Sequence, residues 1–400
     1  MNDKIREDFP QIKSGYIYFD TAATSLKPTS VIDAVNMYNR DLSANINRGM
    51  YFQSVETTNL YEESRERVAK FINAKVEEIV FTRGTTSSLN LVATSYGLNN
   101  LNSGSEIIIS EQEHHSSFLP WQNVAKKTGA KLKFIELDQN GKITIEAFKN
   151  ILTRKTKVVV INYISNVLGY INPIKEITML AHEVGAIVVV DGAQAIQHVK
   201  VDVLDLDIDF LAFSGHKMLG PTGVGVLYGK SHHLAILEPV EFGGDMNEDV
   251  EKVNSTWKKH PTKFEAGTMP IAGVIGLSKA VEYLENVGFE KIEEQTKFLY
   301  KYLISQLLKI QGIKIYNLYS DTGIITFNLE NVPSHDAISF YAEQNIALRS
   351  GQHCAKLIHD FLGINSSLRA SVYFYNSIDE VKSFIEVTKE AVKYFKQIGF

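Results

Sequence analysis

The chain of 400 residues carries 41 Lys and Arg against 46 Asp and Glu, a formal charge of −5, with 44% hydrophobic and 22% charged residues. These are ordinary values for a two-domain globular protein, and they disfavour non-specific binding of nucleic acid, which needs a basic surface. No apolar run approaches the roughly 18 residues of a membrane span, and Met1 to Asp8 lack the apolar core of a secretory signal, so the cytoplasm is the expected compartment.

Strand and helix signals alternate over 59–230, the mark of a mostly parallel sheet covered on both faces by helices. The first informative strand is 78–82. It runs into Arg83-Gly84-Thr85-Thr86-Ser87-Ser88 and then a helical stretch, 89–94. Gly84 permits close approach of a ligand to the backbone. Thr85, Thr86 and Ser87 offer hydroxyls beside the free amides of a helix start, which attract anions. Taken alone, ordinary helix capping by Ser or Thr explains the same residues.

The apolar run 107–109 ends in Glu111-Gln112-Glu113-His114-His115, which puts a histidine at a strand end where it can stack on a planar ring. A half-buried or surface histidine is the plain alternative. The pairs His114-His115 and His232-His233 lack metal-binding spacing, so no metal is expected. Further on, the apolar run 186–190 closes on Asp191-Gly192-Ala193-Gln194, and the run 210–213 on Ser214-Gly215-His216-Lys217. Both are short and bounded by Gly-containing turns, so they read as buried strands.

An acid and a lysine at the C-terminal ends of two such strands face the crevice where open α/β sheets bind ligands. A pyridoxal 5'-phosphate (PLP) enzyme needs this pair: the lysine to carry the cofactor, the acid to keep its pyridine nitrogen protonated. Singly, a surface lysine and a capping aspartate are commoner. The pair, with an anion site upstream and Ser214 and His216 as further phosphate donors, points to the cofactor.

From about Ile275 the pattern changes. A long amphipathic stretch, 280–308, leads from the large domain into a smaller α+β one, with a strand at 323–328 and a closing helix at 379–395. The single cysteine, Cys354, excludes an internal disulfide and fits a reducing compartment. A buried cysteine is usually a small hydrophobe. Here it lies in a polar loop, Leu348 to Ala355, where Arg349 and His353 are expected to favour the thiolate.

With these segments in order, the sequence resembles the class V aminotransferase family, fold type I PLP enzymes, and within it the SufS-like, group II cysteine desulfurases. The resemblance runs from Tyr18-Phe19-Asp20-Thr21-Ala22-Ala23-Thr24 to Arg369-Ala370-Ser371-Val372-Tyr373-Phe374-Tyr375-Asn376. It passes through Phe81 to Thr86, Glu113 to Ser116, Asn166-Val167-Leu168-Gly169, Asp191 to Gln194, Ser214 to Lys217, Phe264-Glu265-Ala266-Gly267-Thr268 and Arg349 to Ala355. It implies an N-terminal segment (1–25) packing with the small domain, a large PLP-binding domain (26–275) with a mostly parallel seven-stranded sheet, and a small C-terminal α+β domain (276–400) carrying the cysteine loop.

The resemblance also implies roles. Lys217 carries PLP, Asp191 pairs with its pyridinium, Gln194 bonds its phenolic oxygen, and His114 stacks on the ring and relays protons. Thr85, Thr86, Ser214 and His216 hold the phosphate, joined by Thr268 from the other subunit of a homodimer. Arg369 clamps the substrate carboxylate, Asn166 and Arg349 line the same pocket, and Cys354 accepts sulfur. The implied reaction turns L-cysteine into L-alanine with a persulfide on Cys354, passed to a small acceptor protein for iron–sulfur clusters or another sulfur-containing product. The alternatives are a selenocysteine lyase or other C–S lyase or epimerase of the same fold, and a catalytically silent scaffold.

Three segments depart from the family pattern. Asn47-Arg48-Gly49 stands where His-Arg-Gly is usual, with Tyr51 in place of a second His. Gln352 precedes His353-Cys354 where His is usual, and Phe242-Gly243-Gly244-Asp245-Met246-Asn247 replaces a Gly-richer stretch.

Overall fold

The computed structural model describes residues 2–399; Met1 and Phe400, the outermost residues of the expected N-terminal segment and small domain, lie outside the described residues. Seven strands form the main sheet: β1 (Ile79–Thr82), β2 (Glu106–Ser110), β3 (Lys131–Ile135), β4 (Thr156–Asn162), β5 (Ile187–Asp191), β6 (Phe210–Ser214) and β7 (Gly225–Gly229). They lie in the order β1-β7-β6-β5-β4-β2-β3. Neighbours from β6 to β3 are parallel, and β7 alone runs against both its neighbours. The sheet is the mostly parallel one the sequence implies.

Strands β1, β5, β6 and β7 are buried along their whole length, as strands covered on both faces must be, hence their unbroken apolar runs. The edge strand β3 keeps Lys131 and Phe134 exposed; a lysine on such an edge discourages pairing with another chain. Register places Asn162, Asp191 and Ala212 side by side on β4, β5 and β6, so the acid sits at the buried C-terminal end of the sheet. Lys217 follows in a short helical turn, Gly215–Lys217, straight after β6.

The stretch 280–308 is divided by Gly288, whose φ of 86° closes one helix and opens another. Helix Ile271–Val287 buries Val274, Leu277, Val281 and Leu284 in the core of the main sheet, whereas helix Phe289–Leu307 buries Leu299, Leu303 and Leu307 in a second core. That second core surrounds a smaller antiparallel sheet, β8 (Ile313–Ile315), β9 (Ile324–Leu329), β10 (Arg349–Gly351) and β11 (Ser367–Ser371), in the order β8-β9-β11-β10. Helix Ile378–Gln397 closes it, started by a capping box between Ser377 and Glu380. Among the described residues no helix is long and apolar enough to cross a membrane.

The N-terminal segment straps the two cores together. Ile17–Tyr18 pairs with Ile346–Ala347, and the Ser371 amide donates to Phe19 O at 2.7 Å. A few residues on, Ser25 N donates to His216 O at 3.0 Å and Gln194 Nε2 to Ala22 O at 2.7 Å, both on the main-sheet side.

Two features mark the sheet's C-terminal end. A Cβ on Gly225 would lie 2.4 Å from Gly84 Cα and 2.6 Å from Phe213 O, so β7 and the loop after β1 touch backbone to backbone. Gly225→Ala is expected to lower stability by about 1–3 kcal/mol, read as a lower urea midpoint. Second, Glu113 is buried at the end of β2, where its Oε1 accepts from Ser110 Oγ at 2.8 Å and from the Asn162 amide at 3.0 Å. Burial pushes its carboxyl up to about 8, against the opposing pull of those donors. A carboxyl that protonates more readily folded than unfolded stabilises the fold, and that stabilisation is lost as pH rises from the ordinary carboxyl range through about 8. Glu113→Gln mimics the neutral form, so its stability relative to the wild type should rise between about pH 5 and about pH 8. Urea unfolding of both proteins at the two pH values checks this; a difference that does not change with pH would contradict it.

Candidate active site

The ends of β4, β5 and β6, the start of helix Thr85–Val92, the N-terminal strap and the small sheet enclose a cavity of about 280 Å³. Of the residues expected at the site, Thr85, Thr86, His114, Asn166, Asp191, Gln194, Ser214, His216, Lys217, Arg349, Cys354 and Arg369 all line it. Thr268 does not; it is exposed at the surface, outside the cavity wall of its own chain.

One end holds a buried acid and a lysine amine. Asp191 Oδ1 accepts from the Ala193 amide at 2.9 Å. Burial pushes this carboxyl up, countered by Lys217 and the Ala193 amide. Lys217 is brought down to about 8, first by burial and then by Arg369, while Asp191 holds it up. Its amine therefore exchanges a proton near neutral pH, which a surface lysine does not. His114 begins helix His115–Thr128, and its Nδ1 accepts from Ser116 N at 3.1 Å. That bond leaves the ring proton on Nε2. Burial, with the cations Lys217 and Arg369 nearby, lowers His114 to about 3, so the ring is neutral. Gln194 spends one amide proton on Ala22 O and keeps the other.

The other end is built for an anion. Gly84, at φ 150°, precedes helix Thr85–Val92, and a Cβ there would reach within 3.2 Å of Ser214 Oγ. Ser214 Oγ is bonded to Thr85 N at 2.8 Å and Thr85 Oγ1 at 2.7 Å, and Thr86 Oγ1 to Ser116 Oγ at 2.7 Å. The Ser87 hydroxyl donates to Gly84 O at 2.8 Å, and among the described residues no side chain caps this helix start. The helix itself starts at Thr85 and not at Leu89, which brings its free amides directly to the cavity. Hydroxyls, a helix start and a glycine at one end, with a buried acid and a lysine at the other, fit PLP by their chemistry.

The third wall holds Arg369, buried, with Nη1 donating to Asn166 O at 2.9 Å and Nη2 to Asp20 Oδ1 at 3.4 Å, while its Nε has no partner among the described residues. Beside it the cysteine loop crosses from the small sheet. His353 and Cys354 both adopt left-handed backbone, φ 50° and 55°, a conformation that costs a non-glycine residue about 1–2 kcal/mol. The loop is held by the main-sheet side: Asn166 Nδ2 donates to His353 O at 2.9 Å, His115 N to Cys354 O at 2.7 Å, and Lys356 N to His115 Nε2 at 3.1 Å. Cys354 is exposed and lines the cavity.

One expectation needs correcting. His353 is not a cation beside the thiol: burial and the neighbouring arginines hold it well below its usual range, and its Nε2 pairs with Ser367 Oγ at 3.0 Å. The positive charges within reach of Cys354 are Lys217, Arg369 and Arg349. Sequence reasoning also missed Ser116 and Asn162 as cavity residues, and Asp20 and Glu113 behind the walls. Two of the three segments that depart from the family pattern meet in space, where Arg48 Nη2 pairs with Asp245 Oδ1 at 2.7 Å, while Gln352 Nε2 donates to Asn365 O at 3.2 Å.

Comparison with known proteins agrees with this geometry. A family model described as aminotransferase class-V matches residues 17–384. A probable cysteine desulfurase of Halalkalibacterium halodurans is 46% identical over 386 residues, covering 96% of this chain and 95% of its own. The crystal structure of the cysteine desulfurase CsdA (S-sulfonic acid) from Escherichia coli superposes with a TM-score of 0.94 at 37% identity, covering 98% of this chain and 99% of that one. An apo cysteine desulfurase structure from Thermococcus onnurineus NA1 also gives 0.94, at 40% identity and 98% coverage of both chains. With its acid, lysine and anion site set at the C-terminal end of a mostly parallel sheet, the chain belongs to the class V aminotransferase family.

Proposed function

We propose that this protein is a PLP-dependent L-cysteine desulfurase: L-cysteine and the Cys354 thiol become L-alanine and a persulfide on Cys354. The observation that carries the reading is that Cys354 lines the same cavity as Lys217, Asp191 and Arg369. The near end-to-end similarity to proteins named cysteine desulfurases supports it.

PLP, when bound, supplies an electron sink that acidifies the Cα–H of an amino acid and loosens its Cβ substituent. Lys217, Asp191, Gln194 and His114 would hold its ring, and Thr85, Thr86, Ser214 and His216 its phosphate, with Thr268 reaching in from the second subunit of a homodimer. Arg369 binds the substrate carboxylate, with Arg349 and Asn166 beside it. Lys217 takes and returns the proton at Cα, as an amine poised at about 8 can do. Cys354, as thiolate, forms a bond to the substrate sulfur while the Cβ–S bond breaks. The electron pair of that bond stays with the substrate, whose Cβ then gains a proton, with neutral His114 at hand as a relay.

The outer sulfur then passes to another thiol by the same attack. A small acceptor protein in the cytoplasm is the partner this implies, with iron–sulfur clusters or another sulfur-containing product downstream. Cys354→Ala should slow alanine formation from L-cysteine by about a hundredfold or more while PLP still binds. Undiminished alanine release without added thiol would assign the protein to the C–S lyases instead.

A further inference from the structure

Arg349 and Arg369 are register partners, directly opposite on β10 and β11. Like charges so placed repel, and the Arg369 side chain, 3% exposed, is a buried charge that needs an opposite one. The opposite charge comes from the N-terminal strap. Asp20 Oδ2 accepts from Arg349 Nη2 at 2.8 Å, both its oxygens accept from Arg349 Nε at 3.2 Å, and Oδ1 accepts from Arg369 Nη2 at 3.4 Å.

We propose that Asp20 is the positioning residue of the substrate-carboxylate clamp: it fixes both guanidiniums and cancels half their charge without itself facing the substrate. The proposal rests on the desulfurase reading above, in which Arg369 takes the carboxylate. Asp20 is absent from the cavity wall that both arginines share, so it acts through them. Its own place is set by backbone, independently of the arginines. It bridges to Ser371, and its neighbour Phe19 is bonded on both sides, to Ala347 O at 3.0 Å and from Ser371 N at 2.7 Å. Two guanidiniums less one carboxylate leave one net positive charge, which matches the one carboxylate of an α-amino acid. With Nη1 committed to Asn166 O and Nη2 to Asp20, Arg369 is held as an oriented donor and not as a mobile charge. Because Arg349 also roots the strand that leads to Cys354, the same carboxylate ties the clamp to the cysteine loop.

The test is steady-state alanine formation from L-cysteine by wild-type holoenzyme, Asp20→Asn and Asp20→Glu, with urea unfolding of each. For Asp20→Asn we expect KM to rise about tenfold or more with kcat changing much less, since a misaimed clamp weakens substrate binding. Asp20→Glu, which keeps the charge, should recover part of that rise. A wild-type KM in Asp20→Asn overturns the proposal. So does a loss confined to kcat, or a loss that tracks a fall in stability and is not relieved in Asp20→Glu, because either describes a purely structural carboxylate. Should Asp20→Asn not fold, Asp20→Glu decides alone: a KM raised severalfold at near wild-type kcat supports the role, and an unaltered KM overturns it. The wild type separates the two failures. No alanine from the wild type contradicts the desulfurase reading, whereas normal wild-type turnover with an unaltered KM in the variants contradicts only the role of Asp20.

Discussion

Desolvation at the C-terminal end of the main sheet is the constraint on which the rest of the site depends. Strands covered on both faces leave the cavity floor short of water, and each ionisable group there responds according to its sign. Lys217 comes down to about 8, His114 to about 3 and His216 to about 4, while the Glu113 carboxyl goes up to about 8. The result is a cavity in which His114 and His216 are neutral and the amine can shed its proton near neutral pH, with the protonated Glu113 buried behind its wall. The guanidiniums of Arg349 and Arg369 gather with Asp20 at one wall.

That wall is assembled from parts far apart in the chain. The main sheet supplies Asn166 and His115, the small sheet Arg349 and Arg369, and the strap Asp20. Each part is tied to another by hydrogen bonds from backbone as well as side chain. Cys354 is therefore presented by a loop with two left-handed residues whose carbonyls are both engaged by the main-sheet side. Such backbone persists only where surrounding bonds over-determine it. Holding the thiol over the cavity is the function that strain would serve.

Much of this was legible in the sequence because it is carried locally. The apolar runs before Asp191 and Lys217 identify buried strands, and strand ends in an α/β sheet identify a ligand crevice. The helix start after Gly84 is likewise a local signal, although its first residue was placed four positions late. Arg369 and Asn166 become site residues only through the family resemblance, since nothing in their own spacing marks them, whereas Cys354 stands out locally by its polar loop.

What escaped was of another kind. Asp20 meets Arg369 across 349 positions of sequence, and no periodicity connects them. Glu113 looks from sequence like a solvated acid beside two histidines; only its burial against β4 makes it neutral. The same holds for His353: sequence shows the neighbour, while charge state depends on burial and on the nearby arginines. The Gly288 break within the stretch 280–308, which sends its two helices to different cores, was visible as a glycine but not as a change of packing partner.

Sulfur transfer to Cys354 is read most directly by mass spectrometry of the intact protein and of its Cys354 peptide after brief incubation with PLP and L-cysteine, with alanine quantified in the same sample. A gain of one sulfur atom on Cys354 with a matching amount of alanine is expected. Alanine without that adduct, or a keto acid in its place, would contradict it.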